Sequence, residues 1–281
     1  MNKPVEITGS EKGILYVATG QKYVEEAIIS ATSCKVHNSY PIALITDRAA
    51  YDLPAGLFDE VIVKSAYFNY RDKLLIRHTP FAKTVFLDTD TYVVEPLDDL
   101  FSILDFREFA IHQADEGYEF SMPGMSNAMP EFNTGVIAFS LTPEVVRLFD
   151  DWDAAFDTNT EIKTDQYHLR RTLYSSAVRF AIFSSAYNFI VYYPNYVIQT
   201  VKVFHGRPAG LLREIAQDFN RIRHDFAWRR MYFPYNHQFT VIYQNLENSD
   251  ISRLVRFNIR AFFANIYRRA RLKSGKKTNG S

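Results

Sequence analysis

Two aspartates separated by one residue, Asp88 and Asp90, follow the apolar run Val85-Phe86-Leu87 and precede a second one, Tyr92-Val93-Val94. In a strand, residues i and i+2 point to the same side. Two carboxylates delivered together at the C-terminal end of a strand make a site for a divalent cation, and open α/β sheets bind ligands at that edge. Without a cation the pair repels and is costly to bury. A strand-end turn is the competing explanation. The chain carries its own control in Asp151-Trp152-Asp153. That segment follows Thr142-Pro143-Glu144, a helix start, and Val145, Leu148, Phe149, Trp152 and Phe156 recur at helical spacing. Asp151 and Asp153 fall off this face and read as solvated.

Three other groups could serve a nucleotide-sugar site. Asn133-Thr134-Gly135 opens an apolar strand, with Gly135 permitting a tight turn. Asp165-Gln166 begins a helix, where side chains can project into a cleft. His205-Gly206-Arg207-Pro208 ends a strand with an imidazole, a glycine and a guanidinium together. One histidine with two carboxylates suits Mn²⁺ or Mg²⁺, the nitrogen favouring Mn²⁺, and arginine matches phosphate geometry. Taken singly, Asn133 reads as a turn cap, Asp165 as a helix cap and His205 as a buried histidine.

The elements that must position these residues alternate. Strands are expected at 13–20, 42–46, 59–64, 84–87, 109–112, 133–140, 180–183 and 201–204. Helices are expected at 23–32, 72–78, from 142, from 165, over 211–232 and over about 250–272. Residues 113–131 read as a long polar loop. This alternation predicts an α/β fold with a mixed, mainly parallel sheet flanked by helices. We expect a catalytic domain over 1–210 and a helical, basic C-terminal region over 211–281.

With 281 residues and 47% hydrophobic content the chain can bury a substantial core. Its one cysteine, Cys34, excludes an intramolecular disulfide and a cysteine metal cluster. The first residues do not resemble a secretion signal, and no run reaches the ~18 apolar residues of a membrane span, so a cytoplasmic protein is the default expectation. The net charge of zero is unevenly placed. Residues 251–281 hold nine Lys or Arg and no acid, so 23 of the 32 basic residues face all 32 acidic ones in the first 250. A basic amphipathic helix there would suit an anionic membrane surface or the acidic body of the chain itself.

In order, Phe86-Leu87-Asp88-Thr89-Asp90-Thr91, Phe132-Asn133-Thr134-Gly135, Asp165-Gln166 and His205-Gly206 resemble the GT-A-fold (Rossmann-like) glycosyltransferases, above all the retaining glycogenin and lipopolysaccharide galactosyltransferase-like family. The resemblance covers about residues 13–208. It implies transfer of a hexose from a nucleoside-diphosphate sugar, a UDP-sugar, to a hydroxyl of a glycan, lipid-linked or protein acceptor. It also implies retention of configuration and a place in surface polysaccharide or glycolipid synthesis. It assigns the metal to Asp88, Asp90 and His205, and the sugar and acceptor side to Asn133, Asp165 and Gln166. The base and ribose fall to Val17, Ala18, Thr19 and Tyr23, with Thr89, Gly206 and Arg207 beside the diphosphate. Arg71, or its neighbour Lys73, takes the place of the family's phosphate- or sugar-contacting arginine. The loop after the first strand lacks the acid that relatives often place near the ribose, and His-Gly-Arg-Pro is shorter than the family's usual late motif. A nucleotidyltransferase would carry a glycine-rich loop where this chain has Thr19-Gly20-Gln21-Lys22. A non-catalytic glycan- or nucleic-acid-binding protein using the basic tail would not need the metal-ligand set. No nucleic-acid partner is expected.

Overall fold

The structure, a computed structural model, describes residues 10–114, 122–158, 164–220, 228–233 and 238–243. In chain order the elements are β1 (Lys12–Ala18), α1 (Gln21–His37), β2 (Ile42–Thr46), β3 (Glu60–Val63), a 3-10 segment (Tyr70–His78), β4 (Lys83–Leu87) and β5 (Thr91–Val93). Next come α2 (Asp98–Ile103), β6 (Phe109–Gln113), β7 (Phe132–Ser140), α3 (Pro143–Thr158), α4 (Asp165–Ser175) and β8 (Phe180–Phe183). The last are β9 (Phe189–Ile190), β10 (Asn195–Val197), β11 (Val203–His205), α5 (Ala209–Asn220), β12 (Trp228–Phe233) and β13 (Gln238–Tyr243).

The main sheet has seven strands in the order β3-β2-β1-β4-β7-β6-β8. Only β7 runs against its neighbours, pairing antiparallel with β4 and β6; the other pairings are parallel. The sheet is therefore mixed and mainly parallel, as the alternation predicted. Because β1, β4, β6 and β8 share one direction, their C-terminal ends and the start of β7 lie along one edge.

Both faces of this sheet are covered, which explains its near-continuous apolar strands. Ile14, Tyr16, Val85, Leu87 and Val136 face α1 and α2, while Leu15, Phe86, Ile137 and Phe139 face α3 and α4. α1 packs through Val24, Ala27, Ala31 and Cys34. Burial pushes the Cys34 thiol up to about 12, so it stays protonated and behaves as a small apolar side chain.

Two small sheets complete the described fold. In β5-β11-β9, β11 pairs antiparallel with β5 and parallel with β9. In β10-β12-β13, β12 lies between the other two. This corrects the expected helix over 211–232: α5 ends at Asn220, and 228–233 is a strand. β10, which precedes residue 210, pairs with β12, which follows it. The expected helix over 250–272 and the basic tail lie outside the described residues. No described helix is long and apolar enough to cross a membrane.

Candidate metal and sugar-nucleotide site

Asp88 and Asp90 lie in the turn between β4 and β5, just past the end of the strand. The strand argument for their common side is thus replaced by a turn held by backbone bonds. The Asp88 amide donates to Gly135 O at 2.8 Å, and Gly206 N–H donates to Asp90 O at 2.8 Å. The second bond continues the β5–β11 ladder, in which His205 stands opposite Thr91. Gly206 has φ +143, and a Cβ there would come within 2.6 Å of Val191, so glycine is required on both counts.

The ladder brings the His205 ring to the acids. Its Nε2 lies 3.8 Å from Asp88 Oδ2 and 3.5 Å from Asp90 Oδ1. One ligand atom from each of the three residues falls within 4.8 Å of the others. A chain of amides fixes the ring. Gly135 N–H donates to Asn133 Oδ1 at 3.0 Å, Asn188 Nδ2 donates to the same oxygen at 2.8 Å, and Asn188 Oδ1 is left 2.9 Å from His205 Nδ1. With the proton on Nδ1, the Nε2 lone pair faces the carboxylates, the arrangement in which a histidine ligates a metal.

Gly135 has a different purpose from the one its sequence context suggested. It lies inside β7, at a bulge where the register shifts from Ile111–Ile137 to His112–Asn133. A Cβ on Gly135 would come within 2.1 Å of His205 Cε1. The glycine makes room for the imidazole.

Lys73, from the 3-10 segment, reaches Asp88 Oδ2 at 2.9 Å, Asp165 Oδ2 at 3.0 Å and Thr134 Oγ1 at 2.9 Å. Asp165, buried at the start of α4, also accepts from Thr134 Oγ1. Trp152 Nε1 donates to the Asp165 carbonyl at 2.9 Å and pins that helix start. Gln166 follows, half-buried. Arg71 is placed elsewhere: its guanidinium holds Asp153 at 2.6 Å and Asp157 at 2.8 Å. Of Arg71 and Lys73, it is Lys73 that lies among the acids. Asp153, expected to be solvated, is bound by Arg71 and Arg77.

Arg207 lies 3.2 Å from Asp90 Oδ2 and is gripped by Glu26, with Nε–Oε1 and Nη2–Oε2 both at 3.0 Å. Glu26 also accepts from Thr89 Oγ1 at 3.0 Å. The Arg207 guanidinium is 5.5 Å from the Tyr23 ring centroid. The first-strand residues meet the same edge less directly: Val17 and Ala18 close β1, and Thr19 Oγ1 donates to buried Asp72 at 2.8 Å. Glu26 and Asn188 were not foreseen, because nothing in their local sequence marks a residue that acts on a neighbour distant in the chain.

The electrostatics favour a cation. Burial raises the Asp88 pKa, and Asp90 adds to the rise against Lys73 and His205. Burial also opposes ionisation of Asp90, but His205 and Arg207 hold it well below the usual carboxylate range. Burial would push the His205 pKa down, yet Asp90 and Asp88 reverse this and raise it. With His205 neutral, Lys73 and Arg207 face Asp88, Asp90, Asp165 and Glu26. Two positive groups against four negative ones leave a formal −2, the charge one divalent ion cancels. The oxygen, oxygen and nitrogen donors fit Mn²⁺ or Mg²⁺.

No protein-family model and no curated protein matches this sequence. Among solved structures, the chain is similar to the galactosyltransferase LgtC in complex with donor and acceptor sugar analogs. The TM-score is 0.56 at 15% identity, covering 73% of this chain and 95% of that one. It is also similar to the glycosyltransferase GlyE of Streptococcus pneumoniae, with a TM-score of 0.51 at 16% identity over 76% of this chain and 52% of that one. The seven-stranded sheet, its flanking helices and the acids at its edge thus belong to a chain with the GT-A fold of these glycosyltransferases.

Proposed function

We propose that this protein is a glycosyltransferase that moves a hexose from a nucleoside-diphosphate sugar to a hydroxyl acceptor, with a divalent cation held by Asp88, Asp90 and His205. One observation carries this reading: three ligand atoms from residues 88, 90 and 205 meet within 4.8 Å at the sheet edge. The glycosyltransferase identity of the structural neighbours supports it. A cation bound there supplies Lewis-acid charge to the leaving diphosphate.

The protein's own groups do the rest. Arg207, aimed by Glu26, adds positive charge next to Asp90, where developing phosphate charge is stabilised by fixed donors. Lys73 neutralises Asp88 and Asp165 and keeps both carboxylates in place. Asp165 is engaged by Lys73 and Thr134, which favours a positioning role toward the sugar over attack on it. Gln166, next on α4, is the group we assign to the anomeric centre or incoming hydroxyl, with transfer at the front face and retention. Thr19 and Tyr23 are assigned to the nucleoside. UDP is our preferred carrier.

The test is Asp90→Asn, with hydrolysis of a panel of UDP-sugars measured in Mn²⁺. We expect turnover to fall at least ~100-fold, the scale on which a charge-stabilising group contributes. Unchanged turnover removes Asp90 from the mechanism.

A further inference from the structure

The main sheet ends at β3, which pairs with β2 on one side and, among the described residues, with no strand on the other. An open strand edge is a template for another strand, and proteins usually blunt it with charge. Here the charges stand only at the two ends. The segment reads Asp59-Glu60-Val61-Ile62-Val63-Lys64, acidic before an apolar centre and basic after it.

Exposure alternates along this segment. Val61 is 40% and Val63 47% exposed, and both lie on one face of the strand. Glu60, Ile62 and Lys64 are half-buried on the other face. There Ile62 packs against the core cluster that holds Leu74, Leu75 and Ile76. Asp59 already meets Lys35 of its own chain at 3.7 Å. The side chains of Glu60 and Lys64 form no ion pair and no hydrogen bond among the described residues. The net charge of zero gives two copies of the chain no overall repulsion.

We propose that β3 pairs antiparallel with β3 of a second copy of this chain, about a two-fold axis at Ile62. The transferase reading plays no part in this inference. In that register Glu60 of one copy stands opposite Lys64 of the other, Val61 opposite Val63, and Ile62 opposite itself. Residues directly opposite have Cβ atoms ~4.5–5.5 Å apart, close enough for cross-strand pairs to form. Each β3 offers both ends of the pattern. One face of the joined strands therefore carries two ion pairs around an isoleucine contact, and the other carries two valine contacts. A slip by two residues would set Glu60 or Lys64 opposite Ile62 and leave a charge against an apolar side chain, so the sequence selects one register. Both copies use the same edge, so the assembly closes at two. Strands this short make a small interface, below the ~1,200 Å² of a stable complex, and the dimer is reversible. Antiparallel pairing points the two acid-bearing sheet edges in opposite directions, which keeps the two candidate metal sites separate.

The test is sedimentation velocity of the full chain from ~1 µM to ~100 µM, where a weak interface is read. We expect a reversible monomer–dimer equilibrium. Glu60→Lys and Lys64→Glu each set like charges opposite one another at both ends of the paired strands. Each is expected to raise the dimer Kd about tenfold, with melting curves close to those of the wild type. The two single variants mixed in equal amounts regain opposite charges at both ends, as does the double variant Glu60→Lys/Lys64→Glu. Both are expected to dimerise within about threefold of the wild-type Kd. A wild-type chain that stays monomeric throughout overturns the proposal, as does a dimer whose Kd neither single variant changes. Weakened single variants that neither mixing nor combination restores overturn it too.

Discussion

Gly135 and Asn188 decide whether His205 can ligate, though neither would touch the ion. A methyl group on Gly135 overlaps the imidazole, and loss of the Asn188 amide frees the ring to rotate. Gly135→Ala and Asn188→Ala are each expected to weaken Mn²⁺ binding ~10–100-fold, the usual effect of losing a group that orients a ligand, with the melting temperature changed much less. Mn²⁺ titration followed by electron paramagnetic resonance measures this; unchanged affinity in both variants would show that His205 is not a ligand. At this scale the sequence was informative where residue type alone carries chemistry. The convergence of Asp88, Asp90 and His205 was legible because carboxylates at a strand end and a histidine beside a glycine suggest one shared site. The choice of Lys73 over Arg71 was not, since both lie near the same chain distance from the acids and only packing decides. Arg71 is diverted by Asp153 and Asp157 on α3.

At the scale of elements, α3 and α4 deliver Asp165 through one indole. Trp152 is fully buried, and its N–H caps the Asp165 carbonyl. Trp152→Phe keeps an aromatic but removes the indole donor to that carbonyl, and we expect ~0.5–1.5 kcal/mol of lost stability, read as a lower urea midpoint. A shift below ~0.5 kcal/mol would mean that the bond does not anchor α4. The main-sheet strands and α3 were readable from apolar runs and helical spacing. The segment 228–233 was not. Its short apolar pattern fits helix or strand, and what selects the strand is pairing with β10 and β13, which no local window contains. The β7 bulge was equally hidden, since it exists only relative to β6.

For the whole molecule, the buried edge imposes a dependence on acidity. His112 has its pKa lowered from 6.5 to about 4, chiefly by burial. Below pH 6.5 the unfolded chain takes up a proton that the folded chain refuses until about pH 4. The folded state therefore has its full stability from this group above 6.5 and loses it as pH falls through that window, by at most ~3 kcal/mol. His112→Gln is expected to flatten the decline in melting temperature between pH 6.5 and 4. An identical slope in variant and wild type would place the acid sensitivity elsewhere.

The antiparallel pairing of β5 with β11 sets His205 opposite Thr91. Neighbouring positions on a strand face opposite ways, so a slip of a single residue along this ladder would turn the imidazole away from both aspartates. A one-residue insertion or deletion in either short strand would then silence the centre while every liganding side chain remained in the sequence. Length in these two strands is held to chemical tolerance, a stricter standard than packing alone would set.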